Sequence, residues 1–163
     1  RVSIFSGKLW LLILTTAAGL FASVLLYCAG LASFLHVSHL HVAVFLEGAL
    51  FTILGSLALY VLHLWLGFAF GLGASVSAGG AGFLIAVICG VTSAGDRIWH
   101  FLPWAWPARL AAIPGALLIP SGRPQNPGPE IGRGVLPAVL LFLLAAVCAV
   151  VWFDRWEGRR SYE

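Results

Sequence analysis

Residues Gly95 to Pro114 read GDRIWHFLPWAWPARLAAIP. Three tryptophans (Trp99, Trp104, Trp106), three prolines (Pro103, Pro107, Pro114) and two arginines (Arg97, Arg109) sit here among apolar residues. The stretch is apolar enough to enter a bilayer. It is too interrupted to cross one as a regular helix, because each proline removes a backbone donor and disturbs the preceding turn. Its placement decides the topology. As a span it would put the chain ends on opposite sides of a membrane; as an interfacial or re-entrant element it leaves them on one side.

The rest of the chain says which solvent it is built for. Of 163 residues, 61% are hydrophobic and 9% charged, with a mean hydropathy of +1.00. A soluble domain carries roughly 25% charged residues, so this chain lacks the charges to coat a water-facing surface. The expectation is an all-α fold: a single domain forming a polytopic integral membrane helical bundle in the lipid bilayer. A net charge of +3 gives no reason to expect nucleic acid. Cys28, Cys89 and Cys148 fall in three different apolar runs and read as small buried hydrophobes. Their odd number and wide spacing fit neither a disulfide framework nor a zinc motif. The sequence begins at Arg1 and holds no methionine, which leads to the expectation of an N-terminally incomplete chain, shortened by truncation or processing.

A spanning helix needs about 20 apolar residues. Four segments qualify, at about 9–31, 42–70, 75–94 and 135–153. GLGAS (71–75) supplies a short uncharged turn, so the second and third spans form a hairpin. The segment 97–119 is read as interfacial or re-entrant, with its tryptophans at headgroup depth and its arginines reaching for water. PSGRPQNPGPEIGRG (120–134) reads as an extramembrane loop. Arg1, Lys8, Arg155, Arg159 and Arg160 flank the ends and outnumber Arg97, Arg109, Arg123 and Arg133 of the long connection. The positive-inside rule then puts both ends in the cytoplasm.

Few residues invite chemistry. Ala78, Gly82, Ala86, Gly90 and Ala94 recur every fourth position, a ridge of small side chains that lets membrane helices approach closely. The neighbour on that ridge could lie in this chain or in a second subunit. Glu47 is the only carboxylate inside a spanning run; it is either interfacial or a polar lining of a substrate path. HVSHLH (36–41) invites a metal reading, but its spacing matches no zinc signature and no metal ligands are assigned. No G-x-S-x-G is present, and no two carboxylates share a membrane helix face. Lys8 is the single lysine; Gly7-Lys8 is followed by Leu9, and Val2 stands where the first glycine of a P-loop belongs. The chain therefore cannot hold ATP by that device, and no catalytic residue or cofactor is expected.

Two stretches resemble the permease subunit of type-2 ABC exporters, closest to the branch associated with lantibiotic and bacitracin immunity. RVSIFSGKLWLLILTTAAGL, with Arg1, Lys8 and Leu9, is similar to the entry from the coupling region into that family's third helix. IWHFLPWAWPARL is similar to the aromatic-proline segment after its fifth helix, with Trp99, Pro103, Trp104 and Pro107 in place. The resemblance implies the C-terminal two-thirds of a six-helix permease, with the first two helices and most of the coupling helix missing. It implies a bacterial cytoplasmic membrane, both ends cytoplasmic, an ABC ATPase as a separate subunit, and a second permease copy. It places Trp99, Trp104 and Trp106 near the exit of a path for peptide antibiotics or lipid-linked molecules, a path that Glu47 would line if it is a polar lining residue and not an interfacial one. Two other classes stay open: a haem-binding membrane anchor using His63 and a loop histidine, and a structural membrane protein without transport.

Overall fold

A computed structural model describes residues 2–37, 40–118 and 128–155. The described chain is 90% helical and has no strands. Helix α1 covers Val2–Phe34, α2 Val42–Phe70, α3 Leu72–Ile85 with a π-helical continuation over Ala86–Val91, α4 Trp106–Leu117 and α5 Gly128–Arg155. All but α4 are long and apolar enough to cross a membrane, which makes this a multi-pass membrane protein. Helix α4 has 12 residues. At 1.5 Å per residue it reaches about 18 Å, against a hydrocarbon core of about 30 Å.

Two joints set the order of the spans. His36 adopts a left-handed φ of 51°, a conformation that histidine enters more readily than most non-glycine residues. The Val37 N–H then reaches back to the Leu31 carbonyl at 3.4 Å, closing the end of α1. Between α2 and α3 stands Gly71 alone, at φ 93° and ψ 173°, a region that only glycine occupies without strain. The expected GLGAS turn thus shrinks to one residue, and the third span starts at Leu72 rather than near Ser75.

Helix α2 touches each of the other four helices. Its buried positions are Gly48, Ala49, Ile53, Gly55, Ala58 and Val61, mostly too small to hold a neighbour away. Helix α5 runs beside it in the same direction. Ala138 shares a cluster with Ala58, Ala149 with Val61, and the Phe153 ring meets Phe68 at 4.7 Å. The start of α1 joins the same end: Phe5 lies 5.0 Å from Phe153, and the Lys8 ammonium sits 4.7 Å above the Phe68 ring. The start of α1 and the end of α5 therefore lie together, as an even number of crossings requires. Otherwise α1 is lightly held, burying only Phe5, Leu9 and Cys28. Tyr60 of α2 packs against the cluster that α1 joins through Phe5 and Leu9.

Besides the start of α1 at Val2 rather than near Leu9, two boundaries and one burial differ from the sequence expectation. The loop read over 120–134 gives way to α5 from Gly128 onward; residues 119–127 lie outside the described part. Pro129 sits in the first turn, where its missing donor is harmless, and Glu130 suits the positive end of the helix dipole. The third span ends at Val91, short of Ala94. Cys148 is exposed rather than buried, because a position facing lipid is as apolar as one facing the core.

Gly71→Ala should lower the stability of the detergent-solubilised protein by about 1–3 kcal/mol, read as an earlier thermal unfolding midpoint. Gly73 has nothing within 4 Å of where a Cβ would stand, so Gly73→Ala should be neutral or slightly stabilising. Equal midpoints for the two variants would contradict the one-residue joint.

Candidate functional site

Thr92 ends the π-helical turn with extended backbone at φ −99° and ψ 166°. Its hydroxyl donates to the Ile88 carbonyl and accepts from the Ala94 N–H. Gly95 then folds onto the Cys89 backbone so closely that no Cβ could fit. Short 3-10 turns at Ser93–Gly95 and Trp99–Phe101 carry the chain to the start of α4. The neighbours give the direction of travel. Trp104 lies against Gly82 and Ala108 against Gly90, so α4 runs parallel to the end of α3. Pro107 lies against Gly55 and Ala111 against Gly48, so it runs antiparallel to α2. The Ala105 backbone lies against Gly90 while the Trp104 ring reaches on to Gly82, so between Gly90 and Trp104 the chain has turned back alongside the end of α3. The segment is a re-entrant hairpin packed inside the bundle.

Three helices withhold side chains where this hairpin passes. A Cβ on Gly55 would stand 2.8 Å from the Pro107 nitrogen, and one on Gly48 3.0 Å from the Ala111 oxygen. One on Gly90 would stand 2.8 Å from the Ala108 Cβ, and one on Gly134 2.6 Å from the Leu110 Cδ2. At Gly82 the Trp104 indole occupies the space itself. Leu110, Trp106, Ala105 and Ile113 of the hairpin are buried and form one core with Ala58 and Ala138.

Backbone that leaves regular helix inside a bundle must still find partners. On the descending limb, successive short turns supply them: Ile98 N–H to Gly95 at 2.9 Å, Phe101 to Ile98 at 3.0 Å, Leu102 to Trp99 at 3.0 Å, and Ala105 to Leu102 at 2.9 Å. Helix α4 covers other carbonyls with side chains one turn apart. The Trp106 Nε1 donates to the His100 carbonyl at 3.0 Å. The Arg109 Nε donates to the Cys89 carbonyl at 3.3 Å, and its Nη2 to the Thr92 carbonyl at 2.6 Å. The same Nη2 meets the Asp96 carboxylate at 2.7 Å, the one ion pair among the described residues. Arg109 thus caps the end of α3, where a positive charge also suits the helix dipole.

The structure distributes the expected site residues unevenly. Of the small-residue ridge, Gly82 and Gly90 face the hairpin, Ala86 lines a groove beside it, and Ala78 is half-buried. Ala94 leaves the ridge: it is exposed in the 3-10 turn beyond the helix end. At Gly82 and Gly90 the neighbour on the ridge is this chain's own hairpin. Trp99 and Trp106, 8% and 3% exposed, are core residues rather than headgroup rings. Trp104 is half-buried, and its Nε1 has no acceptor. Glu47 is exposed on α2, away from the hairpin tryptophans' core. Among the histidines, His36 stops α1, His41 precedes α2, and His100 stacks on Phe101 at 4.0 Å. His63 meets Ser75 of α3, and His39 lies outside the described residues. Among the described residues no three His, Cys, Asp or Glu side chains gather as a metal site would require. Missed in the sequence are Gly48, Gly55 and Gly134. The first two stand seven residues apart, two turns along one face of α2, a signal that was legible.

Two grooves flank α4. One, of about 480 Å³, lies between α1, α2 and α4 and includes His41, Thr52 and Ala112. The other, of about 410 Å³, lies between α2, α3 and α4 and includes Thr52, His63, Gly79 and Trp104. Neither is lined by a charged carboxylate, amine or guanidinium. A third, of about 330 Å³, lies between α2 and α5 under Trp65 and Trp152; Glu47 lines none of the three. Comparison with protein-family models, curated proteins and solved structures returned no match.

Gly55→Val should separate α2 from the hairpin and destabilise the protein by about 1–3 kcal/mol. Gly80→Val, in open space, should change stability by less than about 1 kcal/mol, the difference between helix propensities. Arg109→Gln should lose about 1–3 kcal/mol through abandoned carbonyls, and Arg109→Lys should not restore it, lacking the planar fork. Asp96 is 59% exposed, so Asp96→Asn should cost at most about 1 kcal/mol. A thermal-unfolding series in which Asp96→Asn outweighs Arg109→Gln would refute the capping role.

Proposed function

We propose that the chain is the membrane-spanning permease subunit of an ATP-driven exporter of the ABC type. It is passive alone and is driven by a separate ATPase subunit. The supporting observation is the re-entrant hairpin between the third and fourth spans. In the resemblance this segment is the aromatic-proline element near the exit of the path. A half-buried Trp104 at its tip and uncharged grooves on both its sides suit an amphipathic cargo, such as a peptide antibiotic or lipid-linked molecule, which needs no water-filled tunnel. A second permease copy would complete the path, in a bacterial cytoplasmic membrane with both ends in the cytoplasm. The absence of a P-loop at Gly7-Lys8 fits a subunit that borrows its motor.

The test is co-purification of the tagged chain from its native membrane with a nucleotide-hydrolysing subunit. Hydrolysis should appear in the complex and be lost when that subunit is removed. Hydrolysis by the isolated chain, or a haem band in its visible spectrum, would sink the proposal.

A further inference from the structure

The end of α3 leaves α-helical geometry over Ala86–Val91, where the backbone bonds five residues along instead of four. This turn decides which residues face the hairpin. An α-helix advances about 100° per residue, so eight such steps would leave Gly90 about 80° round the helix from Gly82. A π-turn advances about 82° per residue, and with the last four steps in that form Gly90 returns to within about 10° of Gly82. Both glycines are buried, Gly82 under the Trp104 ring and Gly90 under Ala105 and Ala108.

In an unbroken α-helix a different residue would take that place. Cys89 follows Gly82 by seven positions, which puts it within about 20° of Gly82 at α-helical pitch. Its side chain would then stand where Gly90 has none, and there a Cβ alone would lie 2.8 Å from the Ala108 Cβ. The docked hairpin and an α-helical end of α3 therefore exclude each other. The polar contacts depend on the same choice. Arg109 holds the Cys89 carbonyl through Nε and the Thr92 carbonyl through Nη2, and both carbonyls turn if the register changes.

We propose that the π-turn is a register switch: α3 takes it up only while the hairpin is docked and relaxes to α-helix when the hairpin leaves. On relaxing, Gly90 swings away by about 80°, Cys89 replaces it on the hairpin side, and Arg109 loses its two carbonyls. Undocking is thereby all-or-none, because the notch and the caps are withdrawn in one movement. The outer side of the turn leaves room for it. Val87, Ile88 and Val91 are exposed, so the segment rotates against lipid and not against a packed helix. The switch is a property of the fold and does not rest on the transport reading.

The experiment is hydrogen exchange read by mass spectrometry on the full chain in lipid nanodiscs, with thermal unfolding of two deletion variants. In wild type, residues 86–92 and 105–112 should open together with equal protection, because changing register breaks the bonds of the turn as the hairpin leaves. A π-turn holds one residue more than the α-helix it replaces. Deleting Val87 therefore leaves an α-helix whose two notches stand seven residues apart, as Gly48 and Gly55 do on α2. That variant should dock the hairpin without the π-turn, slowing exchange over 105–112 about tenfold, the factor given by about 1.4 kcal/mol of relieved strain. Deleting Leu50, an exposed residue between Gly48 and Gly55, should instead throw those notches out of line and lower the unfolding midpoint. Separate opening of the two wild-type segments overturns the switch. So does a Val87 deletion that fails to fold or that lowers the midpoint as far as the Leu50 deletion.

Discussion

Everything in this bundle depends on helices that make room for a neighbour by leaving out side chains. Lipid tails are as apolar as leucine, so burying apolar surface does not press membrane helices together; close contact and satisfied hydrogen bonds do. Gly48 and Gly55 of α2, Gly82 and Gly90 of α3 and Gly134 of α5 are the points at which three helices let a fourth element in. Other glycines of these helices, such as Gly67, Gly73, Gly80 and Gly132, face open space. The distinction is one of position and not of composition. A glycine on the hairpin side is a notch, and a glycine on the outer side is only a weak helix residue.

The second constraint is the hydrogen-bonding of a chain that reverses twice without regular structure. The hairpin meets it with its own side chains. Arg109 and Trp106 stand one turn apart on α4, and both reach back to carbonyls left behind by the limb that leads into the helix. Pro103 and Pro107 help by subtraction, since neither brings an N–H that must be satisfied at the start of α4. Asp96 then balances the one charge this scheme introduces. Two arginines and three prolines in a membrane segment look like obstacles to insertion. Arg109 and Pro107, at least, are instead what makes an interrupted backbone tolerable there.

Helical class, four long apolar helices and a special status for the Trp-Pro segment were legible in the sequence, because length and hydropathy report directly on the ability to cross a bilayer. The inside of the bundle was not. Cys28 and Cys148 sit in equally apolar runs, yet one is buried and the other exposed; in lipid, hydropathy no longer separates core from surface. Trp99 and Trp106 had the composition of a headgroup belt and became core, because notches at Gly134 and Gly55 lie in helices distant in sequence. The ridge on α3 was visible up to Gly90 and failed at Ala94, where a π-helical turn and Thr92 end the helix. Gly128 to Gly134 looked like loop by its glycines and proline. A first-turn proline is compatible with helix, and Gly134 is there for Leu110.

The position of Gly134 in the chain has a consequence for synthesis. The polypeptide emerges from its N-terminus, so α2 and α3 are in place before the hairpin is made, and α5 comes last. Until that final helix arrives, the side of Leu110 and Trp99 that meets Gly134 has no wall. The hairpin must wait, half-docked, for the downstream segment to close over it, and the order of translation becomes the order in which the lock is assembled.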